Sequence, residues 1–397
     1  MKKVLIIGAG FLQNFVIKKA KELGYYTIAI DGNPNAVGFK NADEYKAINI
    51  VDESACSEYA KQMNIDGVLT AATDYGVLSA SFVAENLGLP GIKYSSAKRI
   101  KNKYEVRKCL FESGADDTGL SFEVSSESDV NNIINKIQFP VMVKPCDGSG
   151  SRGASRVDKS ADLKTACEFA MSNSLTKKAT VEPFINGEEY GAESFVLNGE
   201  VYVLGVMKKL MTKPPYYAEL GHSIPSQLSP EIENKVKNCV KKAIKALDIN
   251  FGSVNMDMLI TKSGDVHIVD IGARMGGNLI GSHIIPIGTG VQYIENMVRA
   301  AVGDEVDFTP KTRPTPVATR LLALTPGKVK SLPDFKALEN NNVIIEHHLN
   351  VGDVINEYHT NLDGCGYIVV KSNDVKQSEQ IASKILCQVD AKIQLYF

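Results

Sequence analysis

The sequence predicts an α/β N-terminal region followed by a larger α+β region. Over residues 1–95, short β-branched runs alternate with helical patterns, the signature of a parallel sheet covered by helices. Further on, strands follow one another, among them a hairpin at residues 254–271. The 397 residues are 44% hydrophobic and 23% charged, which suits two or three domains with sizeable cores.

Val4–Ile7 reads as a strand, Gly8-Ala9-Gly10 as a tight turn, and Leu12, Phe15, Val16, Ala20 and Leu23 as a helix stripe closed by Gly24. Tyr26–Ile30, ending in Asp31, and Gly67–Thr70 are further strands, the latter followed by a helix through Val77, Phe82 and Leu87. Ser95 and Ser96 are placed to cap a helix carrying Ile100, Tyr104 and Leu110 and ending at Gly114. Phe139–Lys144 alternates as a strand, and a Gly-rich loop follows at Asp147–Ser155. Residues 180–185 and 191–197 read as strands, the proline-rich stretch 212–229 as an ordered loop, and Ser229-Pro230 as a helix start with Glu231 and Glu233 in the first turn. After Pro310, Arg313-Pro314-Thr315-Pro316 marks a boundary. Beyond it, strands near 317–324 and 367–371 and a helix near 376–386 suggest a small α+β unit without chemistry of its own.

The formal net charge of −2 argues against a protein built to coat nucleic acid or anionic membrane. No apolar run approaches the roughly 18–20 residues that cross a bilayer. The run after Met1-Lys2-Lys3 is too short for a signal peptide, and the seven cysteines show no C-x-x-C pair. The expectation is a cytoplasmic protein with reduced thiols.

The hairpin carries the sharpest chemical signal. If Ser263-Gly264 is a two-residue turn, paired positions sum to 527, and Asp257 lies opposite Asp270. Like charges about 4.5–5.5 Å apart across a pair need compensation. Two readings stand: hard oxygen ligands for magnesium on phosphates, or a solvated face neutralised by Arg274 and Lys262. The register decides, because a one-residue slip turns the side chains away. Lys144 ends a strand just before the glycine-rich loop, whose backbone N–H groups could approach phosphate oxygens. The loop is not a Walker A motif. Gly8-x-Gly10 lacks a third glycine, since position 13 is Gln, so a nicotinamide-binding reading is a distant alternative. Glu219 and His222 stand three residues apart in a loop, where binding residues concentrate, whereas His267 reads as structural. Asp74, just past a strand end, is a substrate contact or a helix N-cap.

In order along the chain stand Lys103, Lys144, the flap Gly148–Ser155, Glu182-Pro183-Phe184-Ile185, Glu189, Asp257 and Asp270-x-x-x-Arg274. This ordered set resembles the ATP-grasp superfamily over about residues 1–310. The resemblance implies an N-terminal Rossmann-like domain over 1–95, an ATP-grasp domain over 96–312 with a mobile lid at about 113–185, and a C-terminal α+β domain over 313–397. It implies that Lys103 and Lys144 hold ATP phosphates under Gly148, Ser149, Gly150 and Ser151. Backbone from Glu182 to Ile185, with Pro183 and Phe184, would meet adenine, and Glu189 the ribose. Asp257 and Asp270 match ligands of magnesium, or of manganese in its place, and Arg274 the arginine that stabilises an acyl phosphate. Both metal positions are Asp where members often have Glu, and Gly272 stands where many have Asn. The pairing rule sets Asn255 opposite Gly272, as a candidate for the missing oxygen ligand.

The sequence is most similar to ligases that join amino acids. By that analogy Glu219, His222, Arg274 and Gly277 line the amino-acid pocket, and the Gly276-Gly277 backbone faces the tetrahedral oxyanion. Glu219 and His222 are the candidates for a general base, and Asp74 for a substrate contact. The function implied is ATP-dependent joining of an amino-acid carboxylate to an amine through an acyl phosphate. The alternatives are a purine-pathway enzyme of the glycinamide ribonucleotide synthetase or carboxylase type, and a non-catalytic nucleotide sensor. Expected partners are small molecules, with no nucleic acid and no membrane; a homodimer is left open.

Overall fold

The structure is a computed structural model that describes residues 1–148, 152–214 and 216–396. Strand Lys3–Ile7 runs parallel between Tyr26–Asp31 and Gly67–Thr70, and Glu44–Ala47 forms one edge. The G-x-G turn is tied down locally. Gly8 has φ +98°, the Ala9 N–H donates to Asp31 Oδ2 (2.8 Å), and the Asn33 N–H donates to Asp31 Oδ1 (2.8 Å). Gln13, where a third glycine would stand, sends its buried amide to the Ala71 carbonyl (2.5 Å). Asp31 and Gln13 thus build the turn itself, which removes the basis of the nicotinamide reading.

A second sheet, in the order Phe122–Val124, Ala179–Pro183, Val141–Pro145, Ser155–Val157, packs Val143 and Val181 against Val130 and Leu163 of its two helices. The largest sheet has eight strands among the described residues. Its order is Val266–Gly272, Gly252–Ile260, Glu188–Leu197, Glu200–Met211, Glu219–Ile224, Val317–Leu321, Gly366–Lys371, Val343–His347. Alternation divides its faces. Val254, Met256 and Met258 lie in one core with Val236, Val240 and Ile244 of helix Pro230–Ala246, whose Ser229 caps it. Asn255 and Asp257 take the other face, where Phe195 and Met207 pack with residues of the N-terminal region.

Three expectations change. The helix read from Ser95 to Gly114 is two helices, Tyr94–Lys101 and Lys103–Glu112, because Asn102 leaves helical geometry (φ −104°, ψ 107°) and caps the second one. The stretch 212–229 contains the strand Glu219–Ile224, which pairs with Val317–Leu321. The segment after residue 313 adds three strands to the large sheet and closes over the cavity described below, so it is not remote from the chemistry.

Candidate active site

A cavity of about 720 Å³ opens between the two antiparallel sheets, the N-terminal region and the C-terminal segment. Its wall includes Lys103, Lys144, Gly148, the run Glu182 to Glu189, Glu219, Asn255, Asp257, Asp270, Arg274 and Gly277. Asp74 belongs to the same wall. Ser149, Gly150 and Ser151 lie outside the described residues.

The hairpin register sets Asp257 opposite Asp270 and Asn255 opposite Gly272. The turn differs from expectation. Near it, pairs such as Leu259 with His267 are one residue out of the predicted register, and Val269 forms a bulge that restores the predicted pairing at Asp257. The loop 261–265 is closed by Thr261 N–H to the Asp265 carbonyl (3.0 Å), not by a two-residue turn.

The cations facing these aspartates are not Arg274 and Lys262. Lys103, placed by the Asn102 cap, forms a short contact with Asp270, and its backbone N–H donates to the Cys146 carbonyl (2.7 Å). Burial opposes the Lys103 charge, but Asp270 outweighs it and raises the pKa. Lys209, with only 2% of its side chain exposed, lies 2.9 Å from Asp257 and 3.3 Å from Glu189, and touches Glu219. Its stem passes Gly191, where a Cβ would sit 3.9 Å from Lys209 Cδ; a bulky residue there would fill that path. Three carboxylates therefore share one ammonium. Burial pushes Asp257 up to about 6, with Lys209 opposing and Glu219 adding to the rise. Burial works against the Glu219 charge as well, but Lys209 and then His222 pull it down to about 2.

Arg274 pairs with Asp74: NH2 donates to Oδ2 (2.9 Å), and Nε lies 2.9 Å from Oδ1. The next helix begins at Val77 with Gly76 as its cap, so Asp74 is not an N-cap. The pair also explains Gly272, where a Cβ would lie 3.0 Å from the Arg274 guanidinium carbon and 3.1 Å from Asp74 Oδ1. Glu182 turns its buried carboxylate to Lys144 (3.3 Å) and Arg107 (3.2 Å); these cations overcome burial and lower its pKa.

Two expected residues sit differently. The Gly276 N–H is already donated to Glu193 Oε1 (3.1 Å), so of the expected backbone pair only Gly277 reaches the cavity wall. His222 is 2% exposed and does not line the cavity; burial lowers its pKa to about 4.

Sequence reasoning missed Arg107, Lys209, Glu193 and Asn278. Arg107 follows Lys103 by four residues, on the same helix face, which was a readable signal. Glu193 is fully buried among Tyr293 Oη–H (2.6 Å), the Asn255 side-chain amide (3.0 Å) and Gly276 N–H (3.1 Å), and burial raises its pKa to about 7 against those donors. Asn278, at φ +51°, donates to Glu219 and accepts from Tyr367 Oη–H (3.2 Å), while the Tyr358 hydroxyl donates to the Glu219 carbonyl.

Residues 137–282 match the ATP-grasp domain. The chain is 24% identical to a D-alanine–D-alanine ligase of Lactococcus lactis over 53% of its length; the match takes in 54% of that enzyme, about half of it. Among solved structures, it superposes on a phosphoribosylglycinamide synthetase from Anaerococcus prevotii with a TM-score of 0.80 (25% identity, all of both chains). It also superposes on an L-amino acid ligase from Bacillus licheniformis with a TM-score of 0.85 (20% identity, 100% and 99% of the chains). The cavity lies between sheets of this fold, and the matched segment supplies most of its charged wall. The chain carries an ATP-grasp domain over residues 137–282, and ligases are among the proteins it resembles.

Proposed function

We propose that the chain joins the carboxylate of an amino acid to an amine, using ATP and passing through an acyl phosphate. The observation that carries this reading is the Asp257–Asp270 pair, set on neighbouring strands in the cavity with a lysine on each. Three carboxylates around Lys209 leave local negative charge uncompensated, which fits a divalent cation. Asp257, Asp270 and Asn255 would hold magnesium or manganese, which supplies neutralisation of the triphosphate charge when bound.

In this reading Lys103 and Lys144 bind phosphates, Glu182 to Ile185 face adenine, and Glu189 faces ribose. A carboxylate oxygen of the substrate attacks the γ-phosphorus, and the bond to ADP breaks. The amine nitrogen then attacks the acyl carbon; the carbon–oxygen bond to phosphate breaks, and the departing phosphate takes up the proton that the amine gives off. Arg274, oriented by Asp74, stabilises the oxyanion together with Gly277. Glu219, held near 2, is a weak base, and His222 is buried away from the cavity. Neither suits proton abstraction, so the amine enters neutral. The second sheet, as a lid, excludes water from the acyl phosphate.

The similarity to phosphoribosylglycinamide synthetase supports a second reading with a sugar phosphate as substrate. The wall of Leu12, Gly277, Asn278, Ile280, Leu362 and Tyr367 weighs against it, because these residues offer apolar groups and amides. Leu12 and Gly277 adjoin there, since a Cβ on Gly277 would lie 3.6 Å from Leu12 Cδ1. The test is phosphate release from ATP and magnesium with all paired amino acids, and with phosphoribosylamine plus glycine, each with mass detection of product. Amino-acid amides are expected. Asp270→Asn and Arg274→Ala should each lose at least tenfold in turnover, about 2–4 kcal/mol of charge stabilisation. Near-normal rates in both, or product from the sugar phosphate alone, contradict the reading.

A further inference from the structure

Glu193 has no place in the chemistry above, yet it is a fully buried carboxylate one strand away from it. It stands directly opposite Asn255, which in turn stands opposite Gly272. Along this row, the next residues on the same face are Gly191, Asp257 and Asp270.

Two donors, Tyr293 Oη–H and Gly276 N–H, occupy Glu193 Oε1, and Oε2 faces the Asn255 amide at 3.0 Å. The atom 3.0 Å from Oε2 is Asn255 Nδ2, which donates to it. The Asn255 group turned to it must therefore be the NH2. The carbonyl oxygen is then the end turned away, on the side where Gly272 presents no side chain. Gly276 is part of the same lock: a Cβ on it would lie 2.9 Å from both Asn255 Nδ2 and Glu193 Oε2.

We infer that Glu193 is a positioning residue that fixes the Asn255 amide with its oxygen toward the cation held by Asp257 and Asp270, in place of the side chain that Gly272 lacks. This rests on the metal-binding reading above. A glutamine at 193 would donate where the carboxylate accepts. The Asn255 amide would then turn over and present NH2 to the cation. Asn255→Asp on top of Glu193→Gln restores an oxygen on each side, since the new carboxylate accepts from Gln with one oxygen and faces the cavity with the other.

The experiment is Mn2+ binding at pH 8 with a non-hydrolysable ATP analogue, read as free Mn2+ by electron paramagnetic resonance. Partners that orient metal ligands are worth about 10–100-fold in metal affinity. Glu193→Gln should weaken Mn2+ binding at least tenfold, and Glu193→Gln/Asn255→Asp should return it to within threefold of the unaltered protein. Mn2+ binding by Glu193→Gln within twofold of the unaltered protein, while Asp257→Asn is weakened tenfold, overturns this inference and leaves the site reading intact. Unchanged binding in Asp257→Asn overturns both. If Glu193→Gln does not fold, the double variant decides: tenfold weaker binding there refutes the inference, and restored binding supports it.

Discussion

Replacing Lys209 with methionine keeps the apolar stem and deletes the ammonium that Asp257, Glu189 and Glu219 share. At separations of 2.9 and 3.3 Å, each pair is worth about 5–6 kcal/mol of gross attraction at an effective dielectric near 20, most of it offset by desolvation. Breaking such a buried pair usually costs about 3–5 kcal/mol, because a charge is left without its partner. Here three carboxylates are left. Without the lysine the folded-state pKa values of Asp257 and Glu219 rise above the unfolded ones, so the folded state binds more protons. Stability should then fall as pH rises and recover as pH drops. Urea unfolding of Lys209→Met should show a deficit of about 3–5 kcal/mol at pH 8 that narrows by pH 5.5. A variant within about 1 kcal/mol of the parent at pH 8, or one whose deficit grows on acidification, would refute the shared-lysine account.

Asn102→Ala removes a side chain that accepts from Tyr104 N–H and Glu105 N–H, so it should cost about 1 kcal/mol in unfolding and raise the KM for ATP as Lys103 loses its placement. Asp74→Ala should lower kcat/KM about tenfold or more by freeing Arg274, with some loss of stability because Arg274 is left unpaired; unchanged kinetics would remove Asp74 from the site. His222 is held neutral by burial, with a folded pKa of about 4 below its ordinary 6.5, so its contribution is complete above pH 6.5 and is lost as pH falls toward 4. At pH 5 that is about 2 kcal/mol, and His222→Gln should show a correspondingly flatter stability profile between pH 7.5 and 5 in urea titrations.

The parallel N-terminal sheet was legible because its runs are β-branched and its turns carry glycine. The facing of Asp257 and Asp270 was legible as well, although by a compensation. The predicted turn is wrong by one residue, and the bulge at Val269 cancels the error. The opposite happens one hairpin earlier. Asn198-Gly199 is a clear turn signal, and counting from it would set Lys208 opposite Glu189. A bulge between Val203 and Gly205 shifts the register by one and puts Lys209 on the cavity face instead. Single bulges leave no mark in composition, which is why Lys209 could not be read. Glu193 was hidden for another reason: its three partners come from strand Gly252–Ile260, the turn at Gly276 and helix Tyr293–Ala301, and only tertiary packing brings these together. The break at Asn102 was present in the sequence as a cap residue two positions before Tyr104, but a continuous apolar stripe masked it.

Transfer of oxygen from substrate to phosphate tests the central claim most directly. With an amino acid labelled with 18O in its carboxylate, an amine and MgATP, the account predicts that each phosphate released carries one labelled oxygen, donated as the acyl phosphate breaks. Phosphate released without label, while amide product forms, would contradict it.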